Sequence, residues 1–345
     1  MASAATESES PWAIVLSGGE GERTRAFVEN WLGYHKPKQY CNFVGRRSMF
    51  QHTVDRADRL ASGERRLTVI ARAHRDEVFR QLEGRRRGTV LLQPRNRGTA
   101  AGIFLPLTYL RARAPDVAVT IFPSDHFVCP EQSFIAAVAR ATALIETMPD
   151  RIVLQGVEPE GPESDYGWIE LGPECGPARE VREFIEKPSP AEAIRARSRG
   201  ALWNTLVVTG RVDTFWKMGW RAFPDVMELL ERWSRSVGGT NETTELERIY
   251  RVMPVRDFSS DLLARCCSEL LVLPLDGVVW SDWGRPERII DTLRSIGRKP
   301  AFRREHDDSK SPGDATWEME VNHEGEKIQA YEEAHREIAA RCGLG

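Results

Sequence analysis

Trp12-Ala13-Ile14-Val15-Leu16-Ser17-Gly18-Gly19-Glu20-Gly21-Glu22-Arg23, followed by Lys36-Pro37-Lys38-Gln39-Tyr40, is the stretch whose reading decides the fold. A short apolar strand empties into glycines and then into a basic patch. Glycines lack a Cβ, so successive backbone N–H groups can turn inward and form a concave nest for anions. Arg23 and Lys38 add two cations, which suits a polyphosphate whose charge must be neutralised while one bond breaks. The loop has neither the Gly-Lys-Ser/Thr of a P-loop nor the third glycine of a dinucleotide site. The competing reading is a plain turn after a first strand, which is common on α/β folds; the two cations favour a nucleoside triphosphate.

Outward from this stretch, strands and helices alternate as in a parallel sheet. Helical spacing of Phe50, Val54, Ala57 and Leu60 predicts a helix over 49–60. Short apolar strands are expected at 67–71, 89–92 and 117–122, with a helix around 74–82 and another opening at Arg95-Asn96-Arg97-Gly98-Thr99-Ala100-Ala101-Gly102. The small residues of that opening would let a flat ligand approach the backbone. The strand at 117–122 stops at Pro123-Ser124-Asp125-His126, which puts an acid at a strand's C-terminal end, the edge where open α/β sheets bind ligands. A clear amphipathic helix follows, carrying Phe134, Val138, Ala141 and Ile145.

From Ile152 the texture changes to strands at 152–156, 166–171 and 181–185, read as a smaller mixed-sheet region. Helices are expected at 191–198, 212–220, 226–233 and 286–296, with strands at 202–208 and 270–273. Val279-Trp280-Ser281-Asp282-Trp283-Gly284 delivers a second acid at a turn. Asp125 or Asp282 alone reads more readily as a cap or turn residue. As a pair at the ligand-facing edge they supply the hard oxygens that Mg²⁺ accepts alongside substrate phosphates. Glu186-Lys187-Pro188 reads either as a surface ion pair or, in a pocket, as a contact for sugar hydroxyls and a phosphate.

The chain has 345 residues, 41% of them hydrophobic, enough for a large core. Its 48 Lys and Arg against 51 Asp and Glu give a net charge of −3, without the basic excess of a dedicated nucleic-acid binder. No apolar run approaches the ~20 residues needed to cross a bilayer. Residues 1–11 lack the features of a secretory signal and are expected to be disordered. Six cysteines without Cys-x-x-Cys spacing fit a reducing, cytoplasmic setting. Residues 12–299 are expected to form the catalytic domain and 300–345 a linker and final helix.

Seven motifs, taken in order, resemble the sugar-phosphate nucleotidyltransferases, and most nearly the mannose-1-phosphate guanylyltransferase branch. They are Gly18 to Arg23, Lys36-Pro37-Lys38-Gln39-Tyr40, Pro123-Ser124-Asp125-His126, Tyr166-Gly167-Trp168-Ile169, Phe184-Ile185-Glu186-Lys187-Pro188, Trp203-Asn204 and Trp280-Ser281-Asp282-Trp283-Gly284. The resemblance implies an α/β, Rossmann-like nucleotidyltransferase fold (glycosyltransferase-A-like), with a mostly parallel mixed central sheet and a smaller sugar-binding β subregion. It implies a nucleotide site at Leu16, Gly18, Gly19, Gly21, Arg23, Gln93, Gly98 and Thr99, and a sugar-phosphate site at Gly167, Glu186, Lys187 and Asn204. Arg23, Lys38, Asp125 and Asp282 would be catalytic, the two acids binding Mg²⁺.

The implied reaction joins a nucleoside triphosphate, GTP foremost, to a sugar 1-phosphate, mannose 1-phosphate foremost, giving a nucleotide sugar and pyrophosphate. A homo-oligomer is among the expectations; nucleic-acid and membrane partners are not. Three departures are visible: Trp203-Asn204-Thr205-Leu206 stands where the branch has Trp-Asn-Ser-Gly, Gln93 stands where it often has Glu, and residues 24–35 replace its Leu-Trp-Pro. The alternatives are a nucleotidyltransferase for another base or sugar, a non-catalytic nucleotide-sugar sensor on the same fold, and a nicotinamide-dependent oxidoreductase.

Overall fold

The computed structural model describes residues 10–298 and 301–302. The expectations for residues 1–9, the linker over 303–316 and the helix over 324–342 lie outside the described residues.

In chain order the first half comprises β1 (Trp12–Ser17), α1 (Arg25–Leu32), α2 (Met49–Leu60), β2 (Arg66–Ala71), α3 (Arg75–Gln81), β3 (Thr89–Gln93), α4 (Gly98–Arg111), β4 (Ala118–Pro123), β5 (Phe127–Cys129) and α5 (Glu131–Thr147). The second half comprises β6 (Ile152–Val157), β7 (Gly167–Cys175), β8 (Ala178–Glu186), α6 (Pro190–Ser198), β9 (Leu202–Arg211), α7 (Val212–Ala222), α8 (Pro224–Ser234), α9 (Glu242–Val252), α10 (Phe258–Asp261), β10 (Leu270–Pro274), β11 (Val279–Ser281) and α11 (Pro286–Ser295).

Nine strands form one sheet in the order β3-β2-β1-β4-β9-β6-β10-β8-β7, and β9 also pairs with β7. The β3-β2-β1-β4 side is parallel. Beyond it the pairings are antiparallel except for β6 with β10. The sheet is therefore mixed, and the expected smaller β subregion continues the main sheet. β9 enters between β4 and β6 with reversed direction, which short apolar strands do not reveal in sequence.

Both faces of the sheet are covered, and the strands show it residue by residue. In β1, Ile14 joins the core beneath α4, α7 and α8, while Ala13 and Val15 join the core beneath α2, α3 and α5. This is the period-two alternation of a strand buried on both sides. α4 is apolar nearly all round because the sheet covers one side and α7 and α8 the other. α2 starts on a capping box in which the Ser48 hydroxyl accepts from Gln51 N–H and the Gln51 side chain accepts from Ser48 N–H, a device contributing about 1 kcal/mol.

Residues 24–35 resolve into α1, ended by Gly33 at φ 79°. α1 belongs to a third apolar cluster, where Val28 packs with Phe43, Met49, Trp283, Ile289 and Leu293. The segment thus braces α11 and the turn that carries Asp282. β5 pairs with β11 in a separate two-stranded ribbon, Val128 opposite Trp280, which carries the segments flanking Asp125 and Asp282.

Candidate functional site

β1 and β4 run side by side and end together, Leu16 opposite Pro123, with Ser124 N–H donating to the Leu16 carbonyl at 3.0 Å. This register sets the glycine loop next to Asp125. The loop is held from below by Tyr40, whose hydroxyl donates to the Ser17 carbonyl at 2.8 Å and accepts from the Ser17 hydroxyl at 3.1 Å. Gln39 Nε2 donates to the Gly19 carbonyl at 2.6 Å. Gly21 sits at φ 69°, and a Cβ there would lie 3.1 Å from Lys38 N. Only a glycine lets the loop lie so closely on Pro37 and Lys38 in that conformation. A Cβ on Gly19 would meet nothing within 4 Å, so this residue faces open space.

Lys38 is buried, and its ammonium lies between the two acids. Nζ donates to the Asp282 carbonyl and pairs with Asp125 Oδ2 at 3.2 Å. Arg23 reaches the same acid from the loop, Nη2 to Asp282 Oδ2 at 3.2 Å, with Nη1 3.9 Å from Asp165. The other oxygen, Asp282 Oδ1, accepts from the Tyr166 hydroxyl at 2.9 Å, Gly284 N–H at 2.8 Å and Arg288 Nη1 at 2.8 Å. Burial works against ionisation of Asp282, but Lys38 and Arg288 outweigh it and hold the carboxyl well below the usual carboxylate range. Asp125 is shifted in the same direction: burial opposes it, and Lys38 and His126 together outweigh burial. Burial lowers the His126 pKa despite the neighbouring Asp125, and the His126 ring stands edge-on to Trp280 at 5.2 Å.

Among the residues expected to meet the base, Gln93 closes β3 with Nε2 3.2 Å from the Tyr250 hydroxyl. Gly18 and Gly102 face it, and a Cβ on Gly18 would come within 2.6 Å of Gln93 Oε1. Gly98, at φ 83°, lies under the Arg256 carbonyl. The Thr99 hydroxyl donates to Asp257 at 2.9 Å and accepts from Phe258 N–H at 2.7 Å. Gly98 and Thr99 are therefore engaged by the 256–258 segment, while Gly18, Gly102 and Gln93 surround one another.

The sugar-phosphate candidates converge from three strands. Gly167 pairs with Glu186 across β7 and β8, and a Cβ on Gly167 would come within 2.9 Å of the Glu186 carboxylate. Lys187 pairs with Glu186 and, at φ 47°, donates its own N–H to the Tyr166 carbonyl at 3.3 Å. Asn204 sits where β9 bulges against β6, its Oδ1 accepting from Leu206 N–H at 3.2 Å. Leu206, at the position of the departure from Trp-Asn-Ser-Gly, has φ 55°. That is the left-handed region glycine enters without strain.

Arg288 and Asp257 lie outside the motifs, and Tyr166 lies in one without a role assigned to it. Tyr166 and Arg288 grip Asp282, and Arg288 also reaches Glu163 at 2.6 Å and Asp165 at 3.2 Å. The Arg288 guanidinium lies over the Tyr166 ring, 4.5 Å from its centroid. Asp257 caps α10 through Ser260 N–H and holds Thr99. The one available signal was Arg288, six residues past Asp282 in the first turn of a helix.

For a metal, the chemistry of the donor set is the test. Asp125 and Asp282 offer hard carboxylate oxygens, and one lysine ties the two residues together, through the carboxylate of Asp125 and the main-chain carbonyl of Asp282. That fits Mg²⁺, which binds through one or two carboxylates together with substrate phosphates and water. Among the described residues no cluster of three or more His, Cys, Asp or Glu is arranged to hold a metal by itself. No described helix is long and apolar enough to cross a membrane.

The geometry agrees with what the chain resembles. It is 29% identical over 291 residues to the xanthan biosynthesis protein XanB of Xanthomonas campestris, covering 83% of this chain and 60% of that one. It is 26% identical over 284 residues to a mannose-1-phosphate guanylyltransferase of Escherichia coli K12, covering 79% and 58%. The chain thus spans about three fifths of the length of these curated relatives. Among solved structures it superposes on one described as mannose-1-phosphate geranyltransferase from Thermus thermophilus, with a TM-score of 0.71, 25% identity and coverage of 81% and 79%. The nucleotidyl transferase family model matches residues 12–298, from the first residue of β1 to just past the end of α11. With the mixed sheet, the glycine loop and the paired acids in that one span, the chain belongs to the nucleotidyl transferase family.

Proposed function

We propose that the chain transfers a nucleotidyl group from a nucleoside triphosphate, GTP in the first instance, to a sugar 1-phosphate, mannose 1-phosphate in the first instance, releasing pyrophosphate. The observation that carries this reading is the placement of Lys38 between Asp125 and Asp282, with Arg23 on the outer oxygen of Asp282. Three chain segments far apart in sequence bring two acids and two cations to the C-terminal edge of β1 and β4. Such a cluster suits a reaction in which charge on phosphate is gathered and redistributed.

In the proposed reaction a phosphate oxygen of the sugar 1-phosphate forms a bond to the α-phosphorus. The bond from that phosphorus to the bridging oxygen breaks, and pyrophosphate leaves with the electron pair. A phosphate monoester is largely dianionic near neutral pH, its second pKa being about 6, so no residue is needed as a base. The chain's part is positioning and charge neutralisation. Arg23, which is 58% exposed, has the freedom to turn from Asp282 onto the departing pyrophosphate. The open Gly19 and the Gly18 backbone flank the triphosphate path; Gln93 meets the base. Glu186, Asn204 and Gly167 orient the sugar, and Lys187 holds its phosphate. Mg²⁺, held by Asp125 and Asp282, would supply further neutralisation at the α-phosphate.

The relatives named for mannose-1-phosphate guanylyltransferase support GTP and mannose 1-phosphate, and Leu206 is the reason to test other sugars as well. Pyrophosphate release should be measured with four nucleoside triphosphates against a set of sugar 1-phosphates in the presence of Mg²⁺. GTP with mannose 1-phosphate is expected to be fastest. Another fastest pair would reassign the substrates, and calorimetric binding without turnover of any pair would favour the sensor.

A further inference from the structure

Resting on the proposed function, we propose that Arg288, together with Tyr166, is a positioning residue that presents Asp282 to a divalent cation through a single oxygen. Three donors converge on Asp282 Oδ1, namely the Tyr166 hydroxyl, Gly284 N–H and Arg288 Nη1, all within 2.9 Å. A carboxylate oxygen with three short hydrogen bonds has no lone pair left for a metal. Oδ2 remains, and among the described residues it carries only the Arg23 contact at 3.2 Å.

The two arginines on this carboxylate differ in how firmly they are held. The Arg288 side chain is 16% exposed, stacks on Tyr166 and is anchored by Glu163 and Asp165; the Arg23 side chain is 58% exposed. Arg288 is therefore fixed, and Arg23 is the cation that gives way. Gly284 completes the arrangement, since a Cβ there would collide with Asp282 Oδ2 and lie 2.8 Å from Arg23 Nη1.

The two roles a neighbouring arginine can play have opposite signs. If Arg288 were only a nearby positive charge, removing it would tighten divalent-cation binding by relieving repulsion. If it positions Asp282, removing it frees the carboxylate to rotate, leaves Oδ1 short of a donor and weakens binding. Mn²⁺ affinity separates these cases without turnover, by following the free-ion electron paramagnetic resonance signal with Mn²⁺ alone and with Mn²⁺ plus GTP.

The full chain and its Arg288→Ala, Arg288→Lys, Tyr166→Phe, Arg23→Ala and Arg285→Ala variants should be compared, with thermal unfolding as the check on folding. Arg288→Ala is expected to weaken Mn²⁺ binding about tenfold and Tyr166→Phe about threefold, with partial recovery in Arg288→Lys. Arg23→Ala is expected to tighten binding of Mn²⁺ alone. Arg285→Ala, which removes a charge paired with Asp165 and Glu163 but not with Asp282, should stay within twofold. Mn²⁺ affinity that is unchanged or tighter in Arg288→Ala would overturn the proposal. Should that variant fail to fold, unchanged affinity in Tyr166→Phe, which keeps every charge, would overturn it. Absence of Mn²⁺ binding by the unaltered chain, with or without GTP, would overturn the functional reading as well, which distinguishes the two failures.

Discussion

On the wall of the cleft built from β1, β3 and α4, the left-handed backbone positions are glycines, Gly21 at φ 69° and Gly98 at φ 83°. On the wall built from β7, β8, β9 and the turn after β11, left-handed positions carry side chains: Lys187 at φ 47°, Leu206 at φ 55° and Trp283 at φ 46°. Each such side chain costs about 1–2 kcal/mol relative to an ordinary conformation. The structure holds each in place by specific contacts. Trp283 stacks on Phe127 with ring centroids 4.9 Å apart and meets Phe43 edge-on. Lys187 N–H is taken by Tyr166, and Leu206 N–H by Asn204. The glycine wall brings backbone segments together, Gly21 onto Pro37 and Lys38 and Gly98 onto Arg256. The opposite wall uses backbone strain to aim side chains, and strain of this kind clusters where a site must be pre-shaped.

The comparison breaks most decisively at the acid between the walls. Asp282→Asn keeps the shape of the side chain but loses the charge that Lys38, Arg23 and Arg288 converge on. We expect a loss of kcat/KM of about 10³-fold or more, about 4 kcal/mol, in a chain that still folds but with a lowered unfolding midpoint, because the charge paired with Lys38 and Arg288 is gone. Near-normal pyrophosphate release would remove Asp282 from the chemistry.

On the glycine wall, Gly98→Ala places a Cβ against the Arg256 carbonyl at an unfavourable φ. A destabilisation of about 1–3 kcal/mol is expected, to be read from urea unfolding; a smaller cost would mean that the 256–258 segment yields easily. On the opposite wall, Leu206→Gly should change stability by less than about 1 kcal/mol, because relief of left-handed strain offsets part of the packing lost by a half-buried leucine. A loss above about 2 kcal/mol would show that Leu206 is kept for its packing.

The smallest effect is in acid. Asp282 has its folded pKa depressed, so its contribution to stability is complete above the ordinary carboxylate value near ~4 and is lost as pH falls through the lower folded value. Unfolding free energy measured down to pH 2 should therefore fall less steeply in Asp282→Asn than in the unaltered chain. Equal slopes would show that the depression is not coupled to folding.

Features settled within a few residues are legible along the chain. The apolar run of β1, the glycines after it, the helix at Met49–Leu60 and the acids ending two strands are local, because propensity, capping and the absence of Cβ act over one or two turns. The seven motifs likewise carried the family. α1 hid in a segment read as a connection, because its apolar residues Phe27, Val28, Trp31 and Leu32 make sense only against Phe43, Trp283 and Phe302. α9 was missed for a related reason: Leu246, Ile249 and Tyr250 are polar-flanked and become a helical face only beneath α8 and beside α4.

Which charges meet is settled by the folded chain. Asp282 is 259 residues from Arg23, 244 from Lys38 and 116 from Tyr166. Their separations are set by the register of β1 on β4, the ribbon of β5 with β11 and the packing of α1 on α11. Coulombic and hydrogen-bond energies depend on distances that sequence spacing does not encode, so the division of Asp282 into one engaged oxygen and one available oxygen exists only in the folded chain.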